Sequence, residues 1–253
     1  MAEQMIFKRS EIKYMIDEYI FRKLMEVMKK YMIADDYGRS TVCSLYFDTP
    51  DYLLIRRSLD HPMYKEKLRL RSYGVANEST KVFVEIKKKY DSIVYKRRIA
   101  MKESEAQRYL LHHEKVMSCQ ISDEIDYCMD HYEGLAPAVM LSYEREAYYA
   151  KDDHEFRITF DRNILWRDYD LSLCKGIYGN PILKEDQVLM EVKTAGAIPL
   201  WMVEFLSGNK VYKTSFSKYG TAYRTIKENS KDNNKKSNNE DNYEERIGGL
   251  KYA

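Results

Sequence analysis

Lysine and arginine recur at alternate positions in several short stretches of this sequence. Lys67, Arg69 and Arg71 do so in KEKLRLRSYG, Lys87 and Lys89 follow Glu85 in VFVEIKKKY, and Lys96 and Arg98 stand two apart in VYKRRIA. Arg9, Glu11 and Lys13 share a parity near the N-terminus, as do Tyr143 and Arg145 in SYEREAY, Arg157, Thr159 and Asp161 in FRITFD, and Glu191 and Lys193 in LMEVKT. Residues two apart share one face of a β-strand. The opposite parity is apolar in most of these stretches, for example Leu68 and Leu70, Val84 and Ile86, Ile158 and Phe160. Solvated faces of antiparallel sheets alternate in the same way, but they mix signs and include Ser, Thr and Gln. These faces are mostly cationic, with one carboxylate on several of them. If they converge, neighbouring cations ~5 Å apart repel by roughly 3 kcal/mol at an effective dielectric near 20. The arrangement then calls for an elongated polyanion such as a triphosphate or a phosphate chain. The interspersed carboxylates could hold a divalent metal that bridges phosphates.

The elements that must position these groups alternate between two periods. Strands are expected at 5–13, 41–48, 64–73, 80–89, 93–101, 138–150, 155–162 and 187–194, with a hairpin turn at Tyr90-Asp91-Ser92. Helices are expected at 17–32, 51–59, 103–113, 119–132, 198–207 and 217–227. In the first of them Tyr19, Ile20, Leu24, Val27, Met28 and Tyr31 recur at helical spacing behind a capping Asp17. Eight strands, mostly compatible with hairpins, imply an α+β fold: an antiparallel eight-stranded, tunnel-shaped barrel with helices packed outside. Residues 1–228 are expected to form one catalytic domain. Residues 229–253 include NSKDNNKKSNNEDNYEE, a polar tail too poor in apolar side chains to fold by itself.

Composition narrows the classes further. The chain has 253 residues and a net charge of +2, with 42 Lys and Arg against 40 Asp and Glu, which excludes a basic nucleic-acid-coating surface. No apolar run approaches the ~18 residues of a membrane span, and the charged N-terminus lacks a signal-peptide core. Cys43, Cys119, Cys128 and Cys174 form no CxxC pair and stand at no metal-ligand spacing from the histidines, so reduced thiols and a cytoplasmic location are expected. His61, His112, His113, His131 and His154 read as ordinary helix or loop residues.

Taken in order, FKRSEIKY, SLYFDTPDY, KLRLRSYG, VFVEIKKKYDSIVYKRR, SYEREAY, FRITFD, LMEVK with GAIPLW, and SFSKY resemble the triphosphate tunnel metalloenzyme superfamily. Within it they are most similar to the polyphosphate polymerase domain of the vacuolar transporter chaperone (VTC) family, in its stand-alone prokaryotic form. The resemblance implies a phosphotransferase that moves the γ-phosphate of ATP onto a growing polyphosphate chain. It implies Lys13, Arg69, Arg71, Lys87, Lys96, Arg145, Arg157, Lys193 and Lys218 as phosphate ligands, with Lys67 and Arg98 on the same faces and hydroxyl donors at Tyr143 and Ser217. Glu191 is implied as the main metal ligand, assisted by Glu11 or Glu85, for Mn2+ or Mg2+. The family often carries a basic residue two positions before its Ser-Lys pair, where this chain has Ser215, with Lys213 nearby. ATP and inorganic polyphosphate are the implied partners, with no nucleic acid, and a separate membrane-protein partner is compatible with the resemblance. A tunnel triphosphatase would use the same side chains with water as acceptor. A non-catalytic polyphosphate- or nucleotide-binding module would keep the cations and need no metal carboxylate.

Overall fold

The computed structural model describes residues 6–7, 10–60, 62–91 and 93–231. The expectations for Arg9, His61, Ser92 and the tail from 232 onward lie outside the described residues. The strands are β1 (Ile6–Phe7), β2 (Ser10–Asp17), β3 (Met32–Ala34), β4 (Ser40–Asp48), β5 (Tyr64–Tyr73), β6 (Lys81–Tyr90), β7 (Ile93–Lys102), β8 (Ala136–Ala150), β9 (Arg157–Arg167), β10 (Asn180–Pro181), β11 (Gln187–Thr194) and β12 (Lys213–Thr214). The helices are α1 (Glu18–Tyr31), α2 (Leu53–Leu59), α3 (Glu103–His112), α4 (Gln120–His131), α5 (Leu200–Gly208) and α6 (218–231). This is the expected α+β class.

The expected closed eight-stranded barrel is not what the hydrogen bonds form. The eight long strands belong to one 12-stranded antiparallel sheet with the path β1-β7-β6-β5-β4-β8-β9-β11-β2-β12, plus β3 on β8 and β10 on β9. The reason lies at β2. One edge pairs with β11 along its length, while the edge that would close onto β7 is bonded at Tyr14 and Lys13 to Lys213 and Thr214. On its edge away from β6, β7 pairs, among the described residues, with Ile6 and Phe7. The sheet nevertheless curls strongly. Lys87 on β6 heads the charges that lower the pKa of Glu11 on β2. Six ladders separate those strands along the sheet, about 29 Å if it were flat.

Alternation sorts most of the long strands into an outer apolar face and an inner charged one. On the outer side, α3 and α4 cover Cys43, Leu45, Leu68, Leu70, Val84 and Ile86. α1 and α5 cover Tyr14, Ile16, Ile158, Phe160, Met190 and Val192. Asp17 caps α1 by accepting the Ile20 N–H at 2.7 Å, and Phe21, Leu24 and Met28 are its buried stripe. The last helix is different. Tyr219, Ala222 and Ile226 of α6 pack on Val139 and Leu141, which share parity with Tyr143 and Arg145, and on Ile55 of α2. α6 thus lies against the sheet's inner side, and its first residue is Lys218.

Two buried polar groups fix this arrangement. Asp48 ends β4 and accepts the backbone N–H groups of Thr49, Leu54 and Ile55 and the Tyr219 hydroxyl, so it ties β4, α2 and α6 together. Arg167 is fully buried at the end of β9. Its guanidinium donates to the carbonyls of Asp170, Ser172, Gly176 and Tyr178 and lies 4.2 Å from the Tyr178 ring centre. That grip folds the loop back so that Gly179 crosses the Trp166 carbonyl, where a Cβ would approach to 2.3 Å. Arg167→Met strands those carbonyls in the interior. It is expected to lower unfolding stability by about 3 kcal/mol or more, read as a shifted urea midpoint with an unchanged slope.

Candidate phosphate-binding site

Glu191 and Asp161 are the centre of the inner face. Alternation on β11 and β9 turns both inward, and they are 6% and 0% exposed. Arg145 on β8 grips Asp161 with two parallel bonds, Nε to Oδ1 at 2.6 Å and Nη2 to Oδ2 at 2.7 Å, and reaches Glu191 Oε2 at 3.2 Å. Lys218, delivered by the start of α6, sits 2.5 Å from Asp161 Oδ2 and 3.2 Å from Glu191 Oε1. Lys13 and Lys193 complete the ring at 3.8 and 3.7 Å from Glu191, and Lys13 also pairs with Glu11 at 3.3 Å. The Lys13 ammonium donates to the Phe216 carbonyl at 2.9 Å, which fixes the approach to α6.

A second group forms around Glu85 on β6, which is 1% exposed. Arg69 reaches its Oε2 at 2.6 Å, Lys96 its Oε1 at 2.8 Å, and Arg71 stands at 3.9 Å. Arg69 donates to the Tyr46 hydroxyl at 3.0 Å, and Arg71 to Ser44 Oγ and the Tyr143 hydroxyl at 3.1 and 3.2 Å. Tyr143 joins the two groups, because Arg145 and Lys218 lie 5.1 and 4.7 Å from its ring centre.

The charges tune one another. Burial raises the pKa of Glu191, but Lys218, Arg145, Lys193 and Lys13 hold it well below the usual carboxylate range. Asp161 is lowered against the same burial by Lys218 and Arg145. Glu85 falls to about 2, because Arg69, Arg71 and Lys96 outweigh its burial. Burial brings Lys67 and Lys96 down to about 8, with neighbouring cations adding to the effect. Tyr46 also falls to about 7: burial raises it, and Arg69, Arg71 and Lys67 more than offset that.

Lys13, Arg69, Arg71, Lys96, Tyr143, Arg145, Glu191, Lys193 and Lys218 are therefore brought together, as are Glu11 and Glu85. Lys67 and Lys87 face each other across β5 and β6, and Lys87 also faces Lys96. Such like-charged cross-strand pairs destabilise a sheet unless an anion joins them. Three other expected ligands stand apart. Arg157 is exposed and donates to the His154 carbonyl. Arg98 is exposed, with its guanidinium 4.9 Å from the Phe83 ring centre. Ser217 Oγ accepts the Gly220 N–H, so it caps α6. Lys213 is exposed on β12.

Sequence reasoning missed Tyr46 and Ser44, because their strand carries no cation to mark its inner face. It placed Asp161 on the lining without a role, although pairing with Arg145 across adjacent strands was the available signal.

Among the described residues no group of three or more His, Cys, Asp or Glu stands ready as a metal site. The donors instead suit a hard cation held by one or two carboxylates and completed by substrate phosphates, as Mg2+ commonly is. Glu191 and Glu11 qualify: they flank Lys13 and repel one another. Glu85 has only cations as partners, from β5 and β7.

A family model described as the VTC domain matches residues 8–227. Comparison with curated proteins finds no match. Among solved structures, a candidate adenylate cyclase of Bacillus halodurans has a TM-score of 0.53 at 14% identity, covering 85% of this chain and 96% of that one. The PH1819 protein of Pyrococcus horikoshii gives 0.43 at 14% identity over 86% and 99%. A candidate adenylyl cyclase of Hippeastrum with a dominant triphosphatase activity gives 0.46 at 13% identity over 83% and 92%. At these identities the first likeness is one of fold.

The Glu85 shift fixes a pH dependence. Its folded pKa lies below the value of 4.5 for a free side chain, so its stabilisation is present above pH 4.5 and is lost as pH falls through about 2. Roughly 3 kcal/mol is expected to disappear over that window. Acid titration of Glu85→Gln should show a correspondingly shallower loss.

Proposed function

The chain belongs to the VTC domain family, and we propose that it is a metal-dependent polyphosphate polymerase, taking the γ-phosphate of ATP onto the end of a phosphate chain in a basic, tunnel-like cavity. The observation that carries this reading is the set of half-buried cations, Arg145, Lys218, Lys13 and Lys193, around the buried carboxylates Glu191 and Asp161. The two carboxylates offset part of the four positive charges, so the folded protein tolerates them, yet the set keeps a positive excess and each cation can exchange a carboxylate oxygen for a phosphate oxygen.

Phosphoryl transfer asks for positioning and charge neutralisation more than covalent help. Arg69, Arg71 and Arg145 grip non-bridging oxygens, with the fork geometry that suits phosphate. Tyr143 and Tyr46 hold hydroxyls beside Arg71 and Arg69. Glu191 and Glu11 would be the oxygen donors that hold Mn2+ or Mg2+. When bound there, the ion supplies charge neutralisation on the leaving diphosphate. The acceptor phosphate is ionised near neutral pH, so no strong general base is needed, and no described histidine joins the two charged groups.

One observation favours a second reading, hydrolysis of short triphosphates. Val42, Tyr143, Ile164 and Leu189 form an apolar layer on the inner side, packed with Met15, Leu183 and Phe216. In-line transfer needs the acceptor opposite the leaving group, and an apolar layer offers no cationic ligands to a second phosphate chain, which a water acceptor does not need. The same cations serve both reactions.

Incubation with ATP and Mn2+ is expected to yield polyphosphate on a gel. Inorganic phosphate without polymer would select hydrolysis, and no nucleotide turnover with any divalent metal would overturn both. Glu191→Gln should lower turnover 100-fold or more with an unchanged circular-dichroism spectrum, as expected when about 3 kcal/mol of transition-state stabilisation is lost. Lys67 and Lys96 lose charge as pH rises through about 8. Tripolyphosphate affinity is therefore expected to fall above that pH, measured by calorimetry.

A further inference from the structure

Thr159 sits in the middle of β9 and is 7% exposed. Its Oγ1 is buried and has no hydrogen-bond partner. A buried hydroxyl left unmade costs stability, and in native proteins such a group calls for an explanation. The position supplies one. Thr159 shares the inner face of β9 with Asp161, two residues on, and stands directly opposite Glu191 on β11. Those carboxylates are occupied by Arg145 and Lys218, so the chain offers this hydroxyl no acceptor. Ser142 Oγ is also buried without a partner. It lies at the opposite parity to Tyr143 and Arg145, between Cys43 and Leu165, on the face away from the inner cations.

The missing acceptor must come from outside the chain, to a place ringed by Lys13, Lys193, Lys218 and Arg145. Phosphate oxygens accept hydrogen bonds and are drawn there by charge. We propose that Thr159 is a phosphate-binding residue, donating its hydroxyl proton to a non-bridging oxygen of a linear phosphate lying over the inner face of β9 and β11. The assignment deepens the proposed function and rests on it. In the free protein Thr159 is a polar atom held ready at a cost in stability. In the complex it joins the cations as a neutral donor that reads the phosphate's position.

The test uses the full chain and inorganic tripolyphosphate. Thr159→Val removes the hydroxyl at nearly constant shape, so the two readouts should move in opposite directions. The melting temperature of the free protein should hold or rise, while calorimetric affinity for tripolyphosphate falls about 10- to 100-fold, the range for a hydrogen bond to a charged group. Thr159→Ser should bind within about threefold of wild type, because the donor is kept. Wild-type affinity in Thr159→Val overturns the assignment, as does a lower melting temperature with unchanged binding. If the unmodified protein itself does not bind tripolyphosphate, the proposed function fails first, and the two failures are distinguishable.

Discussion

The bidentate pair between Arg145 and Asp161, shared with Lys218 and Glu191, is the interaction on which the inner side of this molecule depends. Several cations are confined on one curled face, where mutual repulsion at a few ångströms would oppose folding. Carboxylates placed one or two strands away cancel much of that repulsion. Removing one member of such a buried set leaves uncompensated charge behind, so site and fold are stabilised by the same contacts. The consequence is a protein whose groups proposed to bind an anion are already arranged before one arrives, which lowers the cost of ordering them on binding.

The layering around this centre follows from the period-2 pattern. Because most of the long strands present charge on one side and Val, Ile, Leu or Phe on the other, α1, α3, α4 and α5 can cover the outside without touching the charges. α6 breaks the rule, lying inside on Val139 and Leu141. Asp48 is the price of that placement: a buried carboxylate, its pKa raised by burial, saturated by three backbone N–H groups and the Tyr219 hydroxyl. The motif SLYFDTPDY therefore has a structural core at Asp48 and an inner-face hydroxyl at Tyr46.

Much of this was legible in the sequence for a physical reason. Strands such as Tyr64–Tyr73 and Lys81–Tyr90 alternate cleanly over 67–71 and 84–87, and helix α1 carries both a cap and a stripe, so local pattern and tertiary burial agree. What was not legible depended on pairing between distant segments. β3, β10 and β12 are two or three residues long and carry no period of their own. β12 nevertheless occupies the edge of β2 that a closed barrel requires, and nothing within either segment announces that contact. The same limit applied inside the site. Cationic faces were visible because charge marks them, whereas Ser44, Tyr46 and Thr159 are neutral and acquire meaning only from what stands opposite. Arg157 and Arg98 show the converse, since parity placed them correctly and their exposure removed them from the centre.

The pairing of β2 also bears on how the molecule is made. Its ladder partners are β11 and β12, so the first long strand of the chain can be hydrogen-bonded only by nearly the last. During synthesis β2 must wait while roughly 170 further residues emerge, on the order of 10–30 s at ribosomal speeds. Lys13 is without Glu191 and the Phe216 carbonyl for all of that time. The stretch from β4 to β7 can pair hairpin by hairpin as it appears, with cations on β5, β6 and β7 partly balanced by Glu85, and β8 then returns to β4 before β9 pairs with β8. The nascent protein thus has an early half and a late seam. The seam, where early and late segments of the chain meet on one strand, is the step of highest contact order and the one that completes the proposed anion site.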